Sequence, residues 1–208
     1  MLKIYGRANS INVRKVLWMA AELDLTFERE DWGRGFRSTD EEPFRSVSAW
    51  GVIPVLDDDG FILRESNAIV RYLATKQGRT DLLPTDMRSR FEVEAWMDWS
   101  STDLYQEVRP VFQGLVFKLP QFTDPNIIAA GIRGWTRQMQ RLEDHFASGQ
   151  PFLTGQTFTA ADVVVGLNVN RWFMTPFDNK PSFAQISAYY DRLKERPAFL
   201  EHGANGLP

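Results

Sequence analysis

Two rhythms of apolar and polar positions divide the chain. Up to about residue 78, short apolar runs alternate with stretches of helical period. Leu2–Tyr5 reads as a strand. Val13, Val16, Leu17, Ala20 and Leu23 then recur with the spacing of one helix face. Thr26–Arg29 reads as a second strand. Val52–Leu56 and Phe61–Leu63 flank the turn sequence Asp57-Asp58-Asp59-Gly60 and read as a hairpin. Ala68, Ile69, Tyr72 and Leu73 mark another helix. The order βαβ, then ββα, predicts a parallel pair with a right-handed crossover and added antiparallel strands, hence a small mixed sheet.

Past Gly78-Arg79-Thr80-Asp81 and Pro84 the strand signals stop. The spacing predicts a long helix over 86–117, which Pro110 should kink or end. Further helices are predicted over 126–147, 159–174 and 182–194. Thr159-Ala160-Ala161-Asp162 fits a capping box, with Phe158 and Val163 placed as a hydrophobic staple. Asp162 therefore reads as structural. The expected division is an α/β unit over 1–78, a linker over 79–86 and an all-helical unit over 87–208.

Composition narrows the function. With 43% apolar residues the 208-residue chain can build real cores, and a net charge of −3 without a basic run argues against a nucleic-acid partner. No apolar run approaches the ~20 residues of a membrane span, and Met1–Gly6 lacks the apolar core of a signal peptide. The expectation is a soluble cytoplasmic protein with no membrane partner. The absence of cysteine excludes disulfides, thiolate metal sites and a cysteine nucleophile. His145 and His202 have no ligand-like partners in sequence, so no metal site is expected.

Three junctions carry candidate chemistry. Ser10 and Asn12 stand where the first strand hands over to a helix; they are a turn and cap, or donors to an anion at a helix N-terminus. Ile53-Pro54 opens a strand; a cis bond would present the preceding residue's backbone as an open edge, and a trans proline starting a strand is the plainer alternative. Glu65-Ser66-Asn67 ends a strand and starts a helix. Ser66 suits an N-cap or a bound carboxylate, and Glu65 suits solvent or an ammonium group.

Taken in order and spacing, these segments resemble the cytosolic-type glutathione transferases, of the bacterial, serine-type, theta-like kind, over essentially the whole chain. The matching elements are Ser10-x-Asn12-x-x-Lys15-Val16, Gly51-x-x-Pro54-x-Leu56 and Glu65-Ser66-Asn67-Ala68-Ile69, with the capped helix after Thr159. The resemblance implies a thioredoxin-like N-terminal domain followed by an all-α domain, a homodimer, and glutathione as co-substrate. It implies a cis Pro54, with Val52 and Ile53 pairing with the cysteinyl backbone, and Glu65 and Ser66 holding the γ-glutamyl head. Ser10, or Asn12 two places on, would stabilise the thiolate. Ser48-Ala49 departs from the family's Asn-Pro. Arg34 or Arg37, in the loop before the second helix, would supply the positive charge for the glycyl carboxylate. A hydrophobic electrophile is expected between the domains, near Tyr105, Phe112 and Trp172. A non-catalytic binding module of the same fold is the alternative.

Overall fold

The computed structural model describes residues 1–208. Strand β1 (Leu2–Tyr5) lies between β2 (Glu28–Glu30) and β3 (Val55–Asp58), and β4 (Phe61–Arg64) forms the far edge, giving the order β2-β1-β3-β4. The β1–β2 pair is parallel, and the other two are antiparallel. The mixed sheet expected from the βαβ–ββα order is therefore observed. The hairpin turn is tighter than expected. Asp57 and Asp58 remain in β3, and only Asp59 and Gly60 turn, both at positive φ (52° and 91°). That is the backbone twist a two-residue hairpin needs.

Helix α1 (Ile11–Glu22) crosses from β1 to β2, α2 (Glu42–Arg45) is one short turn, and α3 (Ser66–Lys76) follows the hairpin. The rest is helical: α4 (Met87–Ser101), α5 (Asp103–Leu115), a 3₁₀ turn at Pro120–Phe122, α6 (Pro125–Phe146), α7 (Ala160–Met174), α8 (Ala184–Lys194) and α9 (Pro197–His202). The predicted 86–117 helix is two helices, and it breaks at Thr102 rather than at Pro110. The Ser101 and Thr102 hydroxyls compete for backbone acceptors, donating to the Met97 and Asp98 carbonyls at 3.3 and 2.9 Å. Pro110 sits inside α5. There α6 offers Gly131, where an added Cβ would lie 3.0 Å from the proline ring.

One buried cluster joins the two halves. Trp18 of α1 packs against Phe158 and Phe199, with ring centroids at 5.8 and 4.6 Å. Gly166 of α7 leaves room for that indole, since a Cβ there would meet it at 3.1 Å. Arg196 pairs with Glu22 at 2.5 Å beside them. α1 thus serves both units, with its N-terminal end at the seam. A second small cluster (Tyr5, Trp32, Phe44, Val55) packs around α2.

Candidate active site

The β1–α1 junction is built tightly. At Gly6 (φ 147°) a Cβ would fall 2.6 Å from the Val13 side chain and 3.2 Å from that of Ile53. The absence of one lets the loop before β3 lie against the start of α1. Ser10 is the N-cap of α1, and its carbonyl accepts from the Arg14 N–H at 2.8 Å. Its hydroxyl makes no capping bond, so a donor stays uncommitted at the positive end of a helix.

The loop Gly51–Pro54 carries a cis Ile53–Pro54 bond. Arg45 underpins it. The guanidinium binds the Ala49 carbonyl and Asp40, and a Cβ on Gly51 (φ 63°) would lie 3.0 Å from it. Neither the N–H nor the C=O of Val52 and Ile53 has a partner within the chain. They form a short open edge of the kind an extended peptide pairs with.

Ser66 begins α3 instead of capping it. Glu65 is the N-cap, held at φ 70°, ψ 111°, a conformation that costs a non-glycine residue roughly 1–3 kcal/mol. Neither the Ser66 hydroxyl nor the Glu65 carboxylate bonds to another side chain, and no capping bond forms. Donors of the first turn thus remain free beside an unpaired carboxylate. Asn67 differs. Its amide donates to the Met97 carbonyl and the Ser101 hydroxyl, both at 2.9 Å, fastening α3 to α4.

Between these elements lies a cavity of about 230 Å³. Asn12 and Lys15 of α1 and Glu65 to Asn67 form one wall. Ser100, Ser101, Tyr105, Asn168 and Arg171 form the other. Two of these cations are buried. Burial, then repulsion from Arg171, lowers the Lys15 pKa to about 8, and Glu65 opposes the shift. Burial, followed by repulsion from Arg14, lowers the Arg171 pKa to about 9. Both remain largely protonated at neutral pH.

Asn12, Glu65, Ser66 and Tyr105 line this cavity; Ser10, the N-cap two residues before Asn12, is not among its lining residues. Arg37, Trp172 and Phe112 stand outside the cavity lining. Arg37 stacks on Trp32 at 3.7 Å and lies 3.7 and 3.9 Å from Glu30 and Glu41, with its guanidinium half exposed. The neighbouring Arg34 instead covers Phe117 at 4.4 Å. Trp172 is core, 1% exposed and edge-on to Trp135. Phe112 lies behind the wall, with the Arg171 guanidinium over its face at 3.7 Å. Apolar periodicity could not separate wall from core here. Lys15 and Asn67 belong to the sequence motifs but gain a place in the cavity only from the fold, and Arg171 lies outside every motif. Its signal was a cation following Asn168 and Asn170 in an otherwise apolar buried helix.

Comparisons with known proteins fit this geometry. The family profile "Glutathione S-transferase, N-terminal domain" matches residues 9–76. Glutathione S-transferase GstB of Escherichia coli K12 is 34% identical over 200 residues, 95% of each chain. Human glutathione S-transferase theta-1 is 31% identical over 169 residues, 78% of this chain and 70% of its own. The theta class glutathione S-transferase of Xanthomonas axonopodis pv. citri, solved with glutathione bound, superposes with a TM-score of 0.92 at 33% identity, covering 100% of this chain and 99% of its own. The chain belongs to the glutathione transferase family. It has that family's fold, a thioredoxin-like sheet followed by a helical unit, and it is an enzyme of that class. No helix is long and apolar enough to cross a membrane.

Proposed function

We propose that the enzyme binds glutathione across the free edge at Val52, Ile53 and Pro54, with its γ-glutamyl head at Glu65 and Ser66. The sulfur then lies at the start of α1, where Ser10 stabilises the thiolate and Asn12 assists. The observation that carries this reading is that the donors at both helix starts, and the backbone between them, have no partners inside the protein. The head group's carboxylate takes the first-turn N–H groups and hydroxyl of α3, and its ammonium group takes Glu65. An open strand edge recognises the cysteinyl backbone.

The energetics are sufficient. A free thiol has a pKa near 8.5. Holding it ~2 units lower requires about 2.7 kcal/mol of preference for the anion, at 1.36 kcal/mol per unit. A charge-assisted hydrogen bond from the Ser10 hydroxyl contributes ~1.5–3 kcal/mol. The end of α1 adds up to ~1 kcal/mol. Lys15 and Arg171 favour the anion further, so no general base is required. The thiolate attacks an electrophile lying against the helical wall. A homodimer is part of the same reading. Exposed apolar side chains beside α3 and at the start of α4, among them Phe61 (51% exposed) and Phe91 (60%), suit contact with a second copy.

The test is the ultraviolet absorbance of bound thiolate against pH. Ser10→Ala should raise the bound thiol's pKa by about 1–2 units, with turnover near neutrality falling accordingly and glutathione affinity changing little. A larger rise in Asn12→Ala than in Ser10→Ala would exchange the two roles. No rise in either variant rejects the mechanism.

A further inference from the structure

Two arginines are buried near the seam, and their surroundings are opposite. Arg14 donates to the carbonyls of His202 (2.7 Å), Leu207 (3.2 Å), Pro208 (3.1 Å) and Gly203, and to the Asn205 amide oxygen (3.3 Å). Arg171 is only 6% exposed, yet no hydrogen bond or ion pair reaches its guanidinium, and its Nε is enclosed without a partner. One face of the guanidinium is covered by Phe112. Of the titratable groups that act on it, Arg14 and Arg7 are repulsive, and Tyr105 alone acts in the other direction. Lys15 beside it has one weak partner, the Asn67 amide oxygen at 3.3 Å. Both cations line the cavity, and Glu65 is the only carboxylate there.

We infer that Arg171, assisted by Lys15, is an anion subsite on the helical wall, and that the electrophile this enzyme takes carries a carboxylate. The inference rests on the placement of glutathione proposed above. In that placement Glu65 is taken by the ammonium group, and the γ-glutamyl carboxylate is held by α3. Apart from the thiolate, which the start of α1 holds, the cavity is then left with two buried cations and no anion. A guanidinium offers five donors in a fork that matches a carboxylate, and desolvating one without a counter-charge is unfavourable. A carboxylate arriving with the substrate removes that defect in the complex. The wall around it agrees: Ser100, Ser101, Tyr105 and Asn168 present hydroxyls and an amide. This replaces the expected hydrophobic electrophile with an anionic one.

The test compares matched pairs on the glutathione-saturated enzyme. Calorimetry with the unreactive 3,5-dinitrobenzoate and 3,5-dinitrobenzamide should show the carboxylate binding at least about tenfold more tightly. Turnover of 4-chloro-3,5-dinitrobenzoate, relative to its uncatalysed rate, should exceed that of the amide by a similar factor. In that step the thiolate sulfur bonds to the ring carbon, the carbon–chlorine bond breaks, and chloride leaves with the electron pair. Arg171→Gln should abolish the carboxylate preference, and Arg171→Lys should keep part of it. Arg171→Gln should also raise the melting temperature of the ligand-free protein, because it removes an uncompensated buried charge. Equal binding of acid and amide overturns the inference, as does a preference that survives Arg171→Gln. So does a weakened affinity for glutathione itself with the preference intact, which would assign Arg171 to the co-substrate. Failure of both chlorinated compounds to react rejects the thiolate mechanism instead, and the calorimetric preference then decides the subsite alone.

Discussion

Three helix starts in this protein use similar residues to opposite ends. At α7, Asp162 is fully buried and every nearby donor is spent on it. The Thr159 N–H reaches it at 2.8 Å, the Leu153 N–H at 3.1 Å and the Tyr189 hydroxyl at 3.0 Å. At α1 and α3, Ser10, Glu65 and Ser66 cap nothing with their side chains. The first arrangement converts polar groups into stability; the other two withhold that stability and keep donors available. In the proposed placement of glutathione, saturation rather than residue type separates a structural helix end from a binding one.

The largest effect that sharpens the contrast belongs to Asp162→Ala. It strands two backbone N–H groups and a phenol in the core, so about 3–5 kcal/mol of stability should be lost, a fall of roughly 10 °C in melting temperature. Asp162→Asn tests the charge alone. Burial raises the Asp162 pKa from 3.8 to about 6, against the opposing hydrogen bonds. The folded chain therefore holds a proton that the unfolded chain has already released between these values. The resulting stabilisation is complete below about pH 3.8 and is lost as pH rises through 6. Stability of the wild type relative to Asp162→Asn should thus decline from pH 4 to pH 7. A pH-independent difference in denaturant midpoint would show that Asp162 does not titrate in this range.

At α3 the expected response is reversed. Ser66→Ala removes a hydroxyl that bonds nothing in the protein, so thermal stability should stay within about 0.5 kcal/mol of wild type. Glutathione affinity should fall about tenfold or more, the value of a hydrogen bond to a charged group. Calorimetric titration reads both the affinity and its enthalpy. A variant that loses stability without losing affinity would place Ser66 with Asp162, as a structural residue.

Much of this was legible in the chain, for a reason tied to period. The capping box of α7 is local, four residues long, and stands in the structure as read. The small mixed sheet with its parallel pair followed from connection rules. The break at Thr102 was hidden because Pro110 is the stronger local signal, and only the glycine on α6 makes that proline acceptable. Trp172 and Phe112 were misread for the same reason: an apolar face shows burial but not which side of it meets solvent. Arg171 was invisible because its meaning is a missing partner, and partners are fixed by packing across more than a hundred residues.

The smallest effect tests the contrast within a single turn of helix. Asn67 adjoins Ser66, but its amide is spent on Met97 and Ser101 of α4, and its oxygen on Lys15. If saturation is the criterion, Asn67 belongs with Asp162 despite lining the cavity. Asn67→Ala should lower stability by about 1–2 kcal/mol, since its partners lie near water and regain part of their hydrogen bonding there. Glutathione affinity should change less than in Ser66→Ala. The order of the two variants should therefore invert between a denaturant titration and a glutathione titration. Parallel losses in both measurements would mean that the start of α3 acts as one rigid unit, and that the free donors there are not separable from the bonds holding it to α4.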